Sequence, residues 1–323
     1  MGNQKLAPLA EGGLFTALTV VMAMVAVYVP LVGVVAAVLW PLPILVLVLR
    51  HGLRLGFMLV AVSGVLMAVL IEPTLSLRLV SAFAPLGLVL GYGYRTKWSA
   101  VRIFCSALVM AIFSEMLSLS ILFYISGVNP FAAQLEAMQQ SFQLSIDMYR
   151  QMNVNEFKIA EAEGQFKQAM QLVSQLFPIV VVMMGILDTV INYFFAGKVL
   201  KRLGYQVPQL PAFAEWRLPA VCLYVFGFSL VGLYWGSSRE IQWLYTLSLN
   251  ANVLATTAGL VQGLSLVWCL MAHYRLPFML RCILVTMIIF FAVVAQILAF
   301  VGLFDMVFDY RRRFRSQNGS DER

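Results

Sequence analysis

Charge is scarce in this chain: Asp, Glu, Lys and Arg together make up 11% of its 323 residues, against about a quarter in soluble globular domains. With 61% of residues apolar, an ordinary water-facing surface cannot be covered, which excludes a soluble domain. Histidine occurs only at His51 and His273, and there is no H-E-x-x-H, so a histidine metal site is not expected. Cys105, Cys222, Cys269 and Cys282 stand singly in apolar runs. That pattern speaks for free buried thiols and against a disulfide framework or a zinc site. Gly197-Lys198 lacks the earlier Gly and the following Ser or Thr of a phosphate-binding loop, so the chain brings no ATPase of its own. Ala61-Val62-Ser63-Gly64 only approaches the pattern of intramembrane serine proteases, and no histidine can be assigned to it. No internal repeat is apparent, and no small-residue cleavage site bounds a short first apolar run. The expectation is therefore a protein without catalytic residues, cofactor or metal, whose first segment stays as a membrane anchor.

Apolar sequence, by contrast, comes in long runs, and about 20 apolar residues suffice to cross a bilayer as a helix. Segments at 13–30, 31–49, 53–71, 76–94, 100–125, 172–198, 217–236, 243–272 and 278–304 qualify. The fold class is all-α, a polytopic helical membrane protein with eight or nine transmembrane helices. Pro30-Leu31-Val32-Gly33 interrupts the first two, and a break at membrane depth must have its freed backbone groups buried in protein or facing water.

The net charge of +7 reads as topology rather than as affinity for nucleic acid, because the basic residues cluster beside span ends. With the N-terminus inside a bacterial cytoplasmic membrane, Arg50, His51 and Arg54 fall on the cytoplasmic side, with Arg95, Lys97, Arg102, Lys198, Lys201, Arg202, Arg217, Arg275 and Arg281. Nine crossings, however, would put Arg311, Arg312, Arg313 and Arg315 outside, against the same rule. A cytoplasmic tail requires that one segment after Arg217 does not cross. Anionic lipid would then be within reach of those arginines.

The stretch 129–171 is the one long polar insertion. Asn129-Pro130 is a helix start, and Leu135, Met138, Phe142, Ile146, Tyr149 and Met152 form one apolar face. Asn153 with Glu156 resembles a second cap. Two amphipathic helices outside the membrane are expected, the second running into the segment that contains Pro178, either packed on the membrane surface or serving as a lid over an outward-facing site.

Glu11-Gly12-Gly13-Leu14-Phe15-Thr16-Ala17-Leu18, Tyr28-Val29-Pro30-Leu31-Val32-Gly33 and Trp40-Pro41-Leu42-Pro43 with Arg50-His51-Gly52 form a series. Near the other end stand Asn252, Gln262-Gly263-Leu264-Ser265, Gly302-Leu303-Phe304-Asp305 and Phe308-Asp309-Tyr310-Arg311. Together they resemble the YybS-like family of bacterial membrane proteins, itself distantly similar to the S components of energy-coupling-factor transporters. The S-component resemblance implies a six-helix unit at 1–205; the helical membrane bundle at 206–310 and the short basic tail at 311–323 depart from that pattern. It also implies capture of a small molecule or ion from outside, and docking on a coupling transmembrane subunit driven by ATPases. Gly13, Ala17 and Ala23 on the first helix would form the docking face, since small side chains let helices approach closely. Internal packing is the alternative role for these residues.

Ionisable residues inside a span are costly and are functional candidates by default. Glu115 lies between Ser114 and Ser118 in the fifth span, while Asp188 and Asn192 lie four apart on one face of the sixth. From the depth of each along its span, Glu115 and Asp188 are expected to meet near the midplane, where the three would bind a ligand or join two helices. Glu72 and Arg78 are expected to pair at an outer boundary. Asn250, Asn252 and Gln262 are expected to link helices. Two functions follow: a small-solute binding or transport subunit, or a non-transporting scaffold that organises envelope or signalling proteins.

Overall fold

The computed structural model describes residues 3–152, 155–274 and 276–311. Asn153, Arg275 and the tail arginines Arg312, Arg313 and Arg315 lie outside them. Twelve α-helices follow one another, with no strand among the described residues. They are α1 (Asn3–Tyr28), α2 (Val32–Val38), α3 (Pro41–His51), α4 (Leu53–Leu70), α5 (Pro73–Arg95) and α6 (Ala100–Ser126). Then come α7 (Pro130–Gln151), α8 (Glu156–Arg202), α9 (Val221–Ser238), α10 (Gln242–His273), α11 (Phe278–Phe290) and α12 (Ala292–Phe308). Eight stretches are long and apolar enough to span a membrane, with α2 and α3 together making the second.

Two compact units emerge, Met1–Met170 with Val180–Leu210, and Gln171–Ile179 with Pro211–Arg323. In the first, the proline-rich entry to α3 leads into an uninterrupted apolar run, and Ile44, Leu45, Leu47 and Val48 are all buried. Leu45 packs with Leu86 and Leu90 of α5, Ile103 and Ala107 of α6, and Tyr193, Ala196 and Leu200 of α8. The four cysteines are free, and Cys105 is exposed rather than buried. Glu72 accepts from the Thr74 hydroxyl at the start of α5 instead of pairing with Arg78.

Asn129 caps α7 as expected, its Oδ1 accepting from Phe131 N at 3.0 Å. The second cap is Asn155, which accepts from Phe157 N at 2.9 Å. Of the apolar face of α7, Ile146 is buried and Phe142 stacks on Phe166 with centroids 3.9 Å apart, but Tyr149 and Met152 are exposed. The second insertion helix runs directly into the sixth apolar segment, as expected, and the two form one helix, α8, of 47 residues about 70 Å long.

In the second unit α10 packs against α9 and α12. Asn252 Nδ2 donates to Ser229 Oγ at 3.0 Å, and Gln262 bridges Leu218 N (3.0 Å) and Asp305 Oδ2 (2.7 Å). Both amides link segments, as the sequence suggests. The ninth apolar segment is bent by 103° between α11 and α12. Its two ends meet the same end of α10: Phe278 packs edge-on against Trp268, with centroids 5.9 Å apart, and Arg311 Nη2 donates to Ser265 Oγ at 3.0 Å. Arg217, just before α9, pairs with Asp309 at 2.8 Å. Both ends of the bent pair thus lie within three residues of one level of α10, the arrangement of a re-entrant pair; by length and apolarity the described residues hold eight candidate spans, or nine if the bent pair is one span.

Candidate functional site

The second span is broken by its own chemistry. At the end of α2, the Val38 carbonyl would accept from Leu42 N, but Leu42 N donates to Leu39 O at 3.1 Å. The donor one residue earlier is Pro41, which has no N–H. A helix-end carbonyl left without a partner inside a membrane costs several kcal/mol, roughly. Asn192 of α8, fully buried, supplies the missing donor: Nδ2 reaches Val38 O at 2.9 Å and the Asp188 carbonyl at 2.9 Å. Asn192 Oδ1 is buried without a partner. Sequence reasoning identified Asn192 as an unusual residue, and the geometry makes it first a capping post for a broken helix. Trp40, which follows the break, is buried and donates from Nε1 to Thr19 O at 3.0 Å.

The placing of Asp188 and Glu115 follows from the register of α6 against α8. A Cβ built on Gly185 would stand 2.9 Å from Ile112 N, so the two backbones touch there. One level further in, Tyr193 meets Phe104 edge-on at 5.5 Å. The helices are thus antiparallel, with Asp188 level with residue 109 of α6. Glu115 lies six residues further toward the C-terminal end of α6, about 9 Å along the axis. The two carboxylates are offset along the helix pair by that distance, yet near enough for the charge of Glu115 to act on Asp188. Ser114 Oγ donates to Ala82 O at 2.7 Å and Ser118 Oγ to Arg78 O at 3.3 Å. These bonds fix α5 against α6 and place Arg78 about one turn beyond Glu115, toward the C-terminal end of α6. Glu115 therefore has a cation nearby, whereas Asp188, half-buried, has no ion pair or side-chain hydrogen bond among the described residues.

The helix α1 shows two different faces. Gly13 and Ala17 are exposed and, with Gly12, Thr16, Leu59 and Val62, line an apolar groove of about 340 Å³ against α4. Ala23 is fully buried in the core with Trp40 and Ile44. It is corrected to an internal packing position, because no partner helix can reach it there.

Two motif stretches that lie far apart in sequence close on one another. Glu11 Oε2 lies 3.2 Å from Arg50 Nη1 and 2.8 Å from His51 Nε2. Arg95 adds a bond from Nη1 to Leu49 O at 3.3 Å and covers Gly52. This cluster ties α1, α3 and α5 together at one end of the first unit, and no spacing rule in the sequence announces it.

The chain belongs to the family described as predicted membrane protein (DUF2232), whose model matches residues 17–306. It is similar to the "Uncharacterized protein YybS" of Bacillus subtilis (strain 168), with 28% identity over 318 residues that cover 95% of this chain and 98% of that protein. No solved structure matches it.

Proposed function

We propose that this DUF2232 protein is a small-solute binding or transport subunit of the bacterial cytoplasmic membrane, not an enzyme, and that Asp188 is the group its solute meets. The observation that carries the reading is a carboxylate inside a span with no partner of opposite charge. Such a group is expensive in a membrane and marks an ion or substrate path by default. A metal cation or an organic amine is the solute class that would balance it. Glu115, beside Arg78, would lie at the outward entrance, and Asn192 would contribute its unpartnered Oδ1. The S-component-like part of the reading, with a coupling subunit and partner ATPases, rests on the sequence motifs and on the lack of a phosphate-binding loop. The scaffold reading draws on Leu144, Met148, Met152 and Phe157, which are exposed on the outer hairpin.

Asp188→Ala is a clean variant, because Asn192 holds the backbone carbonyl at 188 and the Val38 cap survives. The purified protein is to be melted with alkali and alkaline-earth cations and with small organic amines. A ligand at a hundred times its Kd stabilises by about 2.7 kcal/mol. At least one probe is expected to raise the Tm of the parent protein and to lose that effect in Asp188→Ala. No response in the parent, or an equal response in the variant, removes the assignment.

The return of α11 and α12 supports an even number of crossings, with both termini on the cytoplasmic side. Protease-sensitive tags at the two ends should both be cut only in inside-out vesicles. Cleavage of one tag from each side would restore the ninth crossing.

A further inference from the structure

Pro178 lies inside α8, where it removes the hydrogen bond to the Ser174 carbonyl and crowds the turn before it. The next rung would join Gln175 O to Ile179 N. Across that rung sits the side-chain amide of Asn250, from α10. Ile179 N donates to Asn250 Oδ1 at 2.9 Å, and Asn250 Nδ2 donates to Gln175 O at 2.7 Å and to Thr246 O at 2.7 Å. A primary amide has two N–H donors and one carbonyl acceptor, and here both ends are used. A side chain inserted into the i→i−4 ladder is a recognised cause of bending.

The position of this lesion matters. Gln171–Ile179 groups with the second unit, whereas the stretches of α8 on either side group with the first. One continuous helix therefore carries the outer arm before the lesion, and Asp188 and Asn192 after it. With the amide seated, α8 runs unbroken through the proline. With the amide withdrawn, two neighbouring rungs at 174–178 and 175–179 are weakened together.

We propose that Asn250 is a removable pin for a hinge in α8 at Gln175–Ile179: seated, it holds the outer arm and the Asp188–Asn192 segment as one rod, and withdrawn, it lets them move separately. This holds whatever solute Asp188 meets.

The test uses the full chain in lipid nanodiscs, with its four cysteines replaced and spin labels at Gln165 and Lys198. Thirty-three residues of straight helix separate these positions, about 50 Å. The parent protein should give one narrow distance peak near that value. Asn250→Ala should broaden it toward shorter distances. In the Pro178→Ala background, where both rungs can close on their own, the same Asn250 substitution should leave the peak narrow. Should Asn250→Ala not fold, Asn250→Asp keeps the acceptor for Ile179, loses the donor to Gln175, and is read in the same way. A lower Tm with an unchanged distance peak would reduce Asn250 to helix glue and overturn the proposal. Equal broadening with Pro178 present or absent would overturn it too.

Discussion

Asp305→Ala is expected to destabilise the second unit by about 3–5 kcal/mol, the usual cost of removing one partner from a buried ion pair. The side chains of Arg311 and Asp305 are only 4% and 1% exposed, with Arg311 Nε 3.4 Å from Asp305 Oδ2. Asp305 also accepts from Gln262 Nε2 at 2.7 Å and from Tyr310 N at 3.1 Å. Its loss would strand the guanidinium with only Ser265 and the Ala214 carbonyl as partners. The double variant Asp305→Leu with Arg311→Met should recover most of the stability, since well-packed apolar residues often replace a buried pair without penalty. Denaturant unfolding in detergent measures both. A single variant as stable as the parent would show that the pair carries little weight.

Gly302→Val should cost about 3 kcal/mol or more, at or above the upper end of overpacking penalties. A Cβ on Gly302 would fall on the Gly259 carbonyl oxygen and the Gly263 nitrogen, and one on Gly259 would stand 2.5 Å from Ala299 O. These are contacts of backbone with backbone, so no flexible side chain can yield, and α10 and α12 would have to separate. Gly164, in the outer arm of α8, is the internal control. A Cβ there meets nothing within 4 Å, so Gly164→Ala should be neutral or should stabilise by about 0.5–1 kcal/mol through helix propensity. Equal tolerance at the two glycines in thermal unfolding would refute the close α10–α12 contact.

Eight spans were legible because hydropathy over some 20 residues is a local property that packing does not override. The run 278–304 is apolar throughout, and nothing in its composition distinguishes a helix that crosses from one that turns back at Phe291, so hydropathy alone allows eight spans or nine. At the site, Glu115, Asp188 and Asn192 stood out because polar residues are conspicuous in apolar runs. Their roles were not legible. The partner of Asn192 is a backbone carbonyl orphaned by Pro41, and carbonyls have no letter in a sequence. The offset of Glu115 from Asp188 along the helix pair depends on where Gly185 meets Ile112, a register set by packing. Ala23 joined Gly13 and Ala17 on size alone, although the helix turns it to the opposite face. The run of α8 through Pro178 was legible, but the contact of Asn250 with its backbone was not, because the two lie more than 70 positions apart.

The broken second span also has a consequence for how the protein is made. Its exposed carbonyl at Val38 is satisfied by a side chain 154 residues further along. At about 5–20 residues per second, the ribosome needs roughly 8–30 s to deliver Asn192 after Val38 has been synthesised. Throughout that interval α1 to α3 sit in or beside the insertion machinery with an uncapped helix end. Water or a chaperoning subunit of that machinery must hold them open until the sixth span arrives. The N-terminal hairpin is thus among the first parts to be inserted and among the last of the first unit to be finished.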